Sequence, residues 1–129
     1  MKHLSILLIT VLTLSVFSCK ETDKTNIEVV STQEMQALLK MDKIQLVDVR
    51  TPKEFKSGYI ETAQNIDFFS PTFDADILKL DKDKPVLLYC KSGGRSAKCA
   101  EKLQLAGFTK IYDLEGGISR WKHEGLAVK

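Results

Sequence analysis

The chain has 129 residues, about the length of one domain, with 43% hydrophobic and 28% charged side chains, which excludes wholesale disorder, collagen and a coiled-coil rod. Nineteen basic residues against 17 acidic ones leave a charge of +2, too even for an electrostatic nucleic-acid binder. Three cysteines without a CxxC pair are too few for a disulfide framework and suggest no structural zinc site, and only His3 and His123 could supply imidazole.

Lys2 and His3 precede a run from Leu4 to Phe17 that is apolar apart from Ser5, Thr10, Thr13 and Ser15. A membrane span needs about 20 apolar residues, so this run is short for one and fits the core of a signal peptide. It ends in Val16-Phe17-Ser18-Cys19, which resembles the lipobox of bacterial lipoproteins, with Val16 where Leu is common. That resemblance implies removal of residues 1–18 and diacylglycerol on the Cys19 sulfur, against the plainer alternative of a secretory signal with an incidental cysteine. Residues 20–26, Lys-Glu-Thr-Asp-Lys-Thr-Asn, carry no apolar side chain and read as a solvated tether. The domain is expected over residues 27–129, held at the cell envelope by the lipid.

Ser31 with Glu34 forms a capping box that starts a helix carrying Met35, Leu38 and Leu39. Ile44 to Val49 is short and largely apolar, as a buried strand requires. Thr51-Pro52-Lys53-Glu54 is a second capping box with Pro at the first helical position, and Gly58 supplies a left-handed stop. A brief strand is expected around Gln64-Asn65-Ile66 and a helix within Pro71 to Leu80. After the polar turn Asp81 to Pro85, Val86 to Tyr89 reads as a central strand. A helix from about Ser96 to Ala106 follows, then a short strand at Ile111-Tyr112, and a last helix carries Ile118 and Trp121 behind Gly116-Gly117. Strands alternating with helices over such short connections predict an α/β fold with a parallel sheet. Sites in such sheets lie beyond the carboxyl ends of the strands, where Asp48-Val49-Arg50 and Cys90 fall.

Cys90-Lys91-Ser92-Gly93-Gly94-Arg95-Ser96 joins a strand to a helix. Two adjacent glycines let several N–H groups turn inward together, and the helix start adds about half a positive charge. Lys91 and Arg95 add formal cations. A thiol at the mouth of this nest is expected to ionise more readily than a free one, and a substrate oxyanion would be cradled by the same groups. Cys–His hydrolases need a base for the thiol proton, and His123 sits in the polar tail of the last helix. A sulfur nucleophile activated by its own loop suits sulfur transfer, where no strongly basic leaving group needs a proton. The bland alternative is a structural cysteine beside an anion-binding turn.

From Leu46-Val47-Asp48-Val49-Arg50, through Glu54-Phe55, Gly58-Tyr59-Ile60 and Asn65-Ile66, to the Tyr89–Ala97 loop, Ala106-Gly107-Phe108, Leu114-Glu115-Gly116-Gly117-Ile118 and Trp121, the chain resembles a single-domain rhodanese over about residues 27–128. The resemblance implies a five-stranded parallel sheet flanked by helices on both faces, with Cys90 carrying sulfane sulfur as a persulfide. It implies that Lys91, Ser92, Gly93, Gly94 and Arg95 bind substrate, chiefly through backbone N–H groups, with Arg95 closing the pocket. Asp48 and Arg50 match an acidic-basic pair that braces the site rather than transferring protons.

Four residues separate Cys90 from Arg95, as in thiosulfate-type rhodaneses; related dual-specificity phosphatases have one more, so a phosphatase is disfavoured. Family members often have His at Tyr59, Gly near Thr62, and Arg and Asn where Lys91 and Gly94 stand. Lys91 lacks the planar fork that grips an oxyanion, which predicts a weak hold on thiosulfate itself. Cys99 shares a helical face with Ala100, Leu103 and Ala106 and reads as core rather than as a resolving thiol; Phe108 and Trp121 read as core aromatics.

The expected activity is transfer of sulfane sulfur from thiosulfate, polysulfide or persulfide to cyanide or a thiol. The alternative is a non-catalytic module that carries persulfide to a partner enzyme. No metal or organic cofactor and no nucleic acid is expected, and a monomer is.

Overall fold

The computed structural model describes residues 25–129; the signal-peptide, lipobox and Cys19 readings lie outside them. Both capping boxes form with both arms. The Ser31 and Thr51 side chains accept from the backbone N–H groups of Glu34 and Glu54, and each glutamate accepts from its cap residue's N–H. They start α1 (Thr32–Leu38) and α2 (Pro52–Lys56). Three more helices follow, α3 (Phe73–Ile77), α4 (Gly94–Leu105) and α5 (Gly117–His123).

Five strands, β1 (Ile27–Val30), β2 (Gln45–Asp48), β3 (Gln64–Asn65), β4 (Val86–Tyr89) and β5 (Ile111–Leu114), form one parallel sheet in the order β1-β5-β4-β2-β3. All strand pairings are parallel. Period-2 alternation splits the core into two layers. Val47, Val49, Val86, Leu88, Cys90 and Ile111 face α3 and α4, packing on Phe73, Ile77, Cys99, Ala100 and Leu103. Leu46, Leu87, Tyr89 and Leu114 face α1 and α5, packing on Met35, Ile118 and Trp121. This is the rhodanese-like arrangement, with helices on both faces.

Three differences from the sequence reading have physical causes. β1 is an edge strand with Val29 at 62% exposure, so Ile-Glu-Val-Val carries no clear alternation, and only its pairing with β5 makes it a strand. The assigned tether ends sooner than residue 26: the Asn26 side chain donates to the Phe108 carbonyl at 3.1 Å and its own carbonyl accepts from the Ile111 N–H at 2.9 Å. Helix α4 begins at Gly94 rather than near Ser96, because Gly93 at φ 118° serves as its cap.

Thr62 stands at φ 74°, in the left-handed region that a β-branched residue occupies only under strain, near where rhodaneses often carry Gly. Replacing Thr62→Gly is expected to raise the unfolding free energy by about 0.5–1 kcal/mol, the relief of strain outweighing glycine's extra freedom in the unfolded chain. Urea titration checks it; a lower midpoint in the variant contradicts strain at this position.

Candidate active site

Cys90 follows the last residue of β4, and strand alternation turns its side chain toward α4. Its sulfur is recessed: Cys90 is 1% exposed beneath the exposed Lys91, Ser92 and Gly94, so the expected thiol at the mouth of the nest lies on its floor instead. The Gly93 N–H donates to Sγ at 3.1 Å and the Ser96 hydroxyl approaches it at 3.4 Å. Burial pushes the Cys90 thiol up, but hydrogen bonds from the Ser96 hydroxyl and from the Ser96, Gly93 and Ser92 backbone N–H groups more than offset it. The net direction is downward from the ordinary thiol value. Oriented N–H and O–H groups lead this shift, with the Arg95 charge acting beside them.

Ser96 was read only as part of the loop motif. Its place three residues after the cap glycine puts its hydroxyl back over the first turn, where it also approaches the Gly93 carbonyl at 3.2 Å. Knowing the true helix start would have marked it; a start placed at Ser96 hid it.

Arg95 is engaged by a partner that the sequence reading treated only as a cap. Glu54 takes both guanidinium nitrogens, Nη1 at 2.8 Å and Nη2 at 2.9 Å. The Arg95 hydrogen bond holds the Glu54 carboxyl at about 2, against its partial burial. The Arg95 guanidinium also stands 5.6 Å from the exposed Phe69 ring. Arg95 thus ties the first turn of α4 to the start of α2, a bidentate geometry that lysine could not reproduce.

Asp48 and Arg50 form a buried pair. Arg50 Nη2 donates to Oδ2 at 2.6 Å and Nε to both oxygens at 3.0 Å, while the Arg50 N–H donates to Oδ1 at 2.9 Å. Nη2 also donates to the Gly58 carbonyl at 2.6 Å, and Asn65 Nδ2 donates to the Asp48 and Arg50 carbonyls at 3.0 and 2.8 Å. Alternation along β2 puts Asp48 on the α1/α5 face, opposite that of Cys90. The pair therefore holds the carboxyl end of β2 to the loop after α2.

The back of the Cys90 loop rests on α5. The Ile118 N–H donates to the Cys90 carbonyl at 2.9 Å and the Ser119 N–H to the Lys91 carbonyl at 3.0 Å. Gly117, at φ 59°, lies so close that a Cβ there would stand 2.5 Å from the Lys91 oxygen and 2.6 Å from the Cys90 oxygen. The Gly-Gly pair was expected to turn the chain into α5; its second glycine also lets α5 touch the loop. Among the described residues no cluster of three or more His, Cys, Asp or Glu is gathered for a metal.

A parallel five-stranded sheet flanked by helices, with a recessed thiol in the loop between β4 and α4, is the arrangement of the rhodanese class of α/β domain. The chain belongs to that family: the rhodanese-like domain model matches residues 31–124. It is 32% identical over 101 residues to a protein named Sulfurtransferase from Allochromatium vinosum, covering 78% of this chain and 92% of that one. It is 42% identical over 79 residues to the uncharacterized protein YqhL of Bacillus subtilis, and spans only 61% of that relative's length. The crystal structure of a rhodanese-related protein from Thermoplasma volcanium superposes with a TM-score of 0.71 at 30% identity, covering 79% of this chain and 97% of that one.

The close approach of Gly117 sets a test. Gly117→Ala must either move α5 or push the Cys90 and Lys91 carbonyls away, at a cost of about 2–3 kcal/mol in stability, and it should slow alkylation of Cys90 in the molecules that remain folded. Wild-type stability in the variant would show that the loop does not lean on α5.

Proposed function

We propose that the domain is a sulfurtransferase that passes sulfane sulfur through a persulfide on Cys90. The observation that carries this is the convergence of backbone N–H groups and one hydroxyl on Sγ. They favour an anionic sulfur in a site whose nearest candidate base by sequence, His123, ends α5 and is exposed. The sulfurtransferase name of the Allochromatium relative supports the same class.

In the first half-reaction the Cys90 thiolate attacks the outer sulfur of a donor such as thiosulfate, a polysulfide or a persulfide. The Sγ–S bond forms as the donor's S–S bond breaks, and the leaving group, sulfite in the case of thiosulfate, departs with the bonding pair. The new terminal sulfur carries the negative charge and falls under the same N–H donors, which act as a prearranged anion cradle. In the second half-reaction cyanide or a thiolate attacks that terminal sulfur, and Sγ leaves as the thiolate that the loop is built to hold. Neither step needs a proton delivered to a strongly basic group, so a site without imidazole suffices. The recess of Sγ favours donors that present a single terminal sulfur end-on over bulky phosphate esters.

Cys90→Ser is expected to abolish both the added-sulfur mass on the loop peptide and turnover with thiosulfate or polysulfide, while circular dichroism stays unchanged. Turnover retained in the variant removes Cys90 from the reaction, whereas a stable persulfide on wild-type protein without turnover makes the domain a sulfur carrier.

We also propose that the domain works at the cell envelope, tethered by lipid on Cys19, a reading supported by Val16-Phe17-Ser18-Cys19 behind an apolar leader. Two or more acyl chains suffice for firm anchoring. In bacterial cells Cys19→Ala should move the protein from the membrane fraction to the soluble one; unchanged fractionation contradicts lipidation.

A further inference from the structure

The guanidinium of Arg95 is closed in on two sides by residues that the proposed chemistry leaves without a part. Its two fork nitrogens meet Glu54, Nη1 on Oε2 at 2.8 Å and Nη2 on Oε1 at 2.9 Å. Glu54 is itself held from behind: the Thr51 N–H donates to Oε2 at 3.0 Å and the Thr51 hydroxyl at 2.9 Å, at the box that caps α2. A carboxylate tied into a helix cap cannot follow Arg95 if the guanidinium turns toward a ligand. The face of the guanidinium stands 5.6 Å from the Phe69 ring. Phe69 is fixed in turn, its N–H donating to Asp67 Oδ1 at 2.9 Å, next to Phe68, whose N–H donates to the Val49 carbonyl at 3.1 Å.

This enclosed cation belongs to the Cys90 site. Arg95 lies between Gly93, whose N–H reaches Sγ at 3.1 Å, and Ser96, whose hydroxyl approaches it at 3.4 Å, and its charge is felt at Cys90. It is the one side chain of the loop with a planar fork, Lys91 offering a point charge. A fork grips an oxyanion through two parallel charge-assisted bonds. Glu54 already occupies both positions and offsets the charge, for the Arg95 hydrogen bond keeps its carboxyl at about 2 and so ionised at neutral pH.

Resting on the reading of Cys90 as the sulfur-accepting thiol, we propose that Glu54 is a specificity-determining residue. By occupying the Arg95 fork it turns the site away from oxyanion donors such as thiosulfate and toward sulfur chains without an oxyanion head, an alkyl persulfide or inorganic polysulfide. The bonds exchanged at Sγ are the same for both kinds of donor. The Sγ–S bond forms, the donor's S–S bond breaks, and the leaving group takes the bonding pair: sulfite from thiosulfate, an alkyl thiolate from a persulfide, a shortened chain from polysulfide. What differs is the group behind the transferred sulfur. The three oxygens of thiosulfate must displace a bidentate carboxylate or stand beside its negative charge. A sulfur chain asks for no fork, and the N–H groups that meet Sγ serve its terminal atom.

The test uses Glu54→Gln in the full chain. Glutamine keeps both arms of the capping box, removes the charge and gives up one of the two bonds to Arg95. Titrated with sodium thiosulfate in a calorimeter, Cys90→Ser/Glu54→Gln should bind about tenfold more tightly than Cys90→Ser, what one charge-assisted hydrogen bond is worth. Rates with thiosulfate, inorganic polysulfide and 2-hydroxyethyl persulfide, with cyanide as acceptor and the uncatalysed rate subtracted, form the second arm. Wild-type kcat/KM should be highest with one of the two sulfur-chain donors, and the ratio between those two separates an inorganic source from an organic one. Glu54→Gln should raise kcat/KM for thiosulfate about tenfold, chiefly through KM, and move the other two by less than about twofold. A carboxylate that merely braced the loop would lower all three together. That outcome, or a thiosulfate affinity that the substitution leaves unchanged, overturns the proposal. So does a wild-type preference for thiosulfate, which needs no variant to fold. Absence of turnover with every donor counts against the reading of Cys90 alone, and calorimetry then decides the proposal.

Discussion

The Cys90 loop can aim its N–H groups at a sulfur atom only if its carbonyls are satisfied from the other side. Backbone donors and acceptors in an interior must all be paired, and a loop curled around an anion turns its acceptors outward. Here the outward carbonyls of Cys90 and Lys91 are taken by the Ile118 and Ser119 N–H groups at the start of α5. That contact exists because Gly117 has no Cβ to hold the two backbones apart. The two Gly-Gly pairs, distant in the chain, thus serve one constraint: the first curves the loop around Sγ, and the second lets a helix support its back.

With the loop held by backbone contacts, the arginines are released from any need to touch the sulfur. Each is spent on a carboxylate that links two elements: Arg50 with Asp48 at the end of β2, Arg95 with Glu54 between α4 and α2. The buried pair is satisfied on nearly every donor and acceptor, the condition under which removing either partner, rather than both, is the damaging change. The consequence is that the Cys90 sulfur is met at hydrogen-bond range by fixed dipoles of its own loop. Dipoles built into the backbone need no rearrangement as charge moves, which suits the proposed transfer of one sulfur atom and one charge over a short distance.

Much of this was legible along the chain because it depends on neighbours in sequence. Capping boxes at Ser31 and Thr51, the apolar runs of β2 and β4, and the spacing from Cys90 to Arg95 are local patterns, and local patterns dictate helices, buried strands and loop curvature. Hidden from view were β1, whose exposed edge carries no alternation, and the start of α4, which hangs on one left-handed glycine. The carboxylate partner of Arg95 and the support of the loop by α5 are contacts between residues roughly 30 to 40 positions apart. Sequence by itself determined the layered α/β plan, the family, and which cysteine stands at a strand end. Only the folded chain decided how deep that sulfur lies, what offsets its charge and which carboxylates are free to titrate, because burial and pairing are properties of the space between elements, and no single segment contains that space.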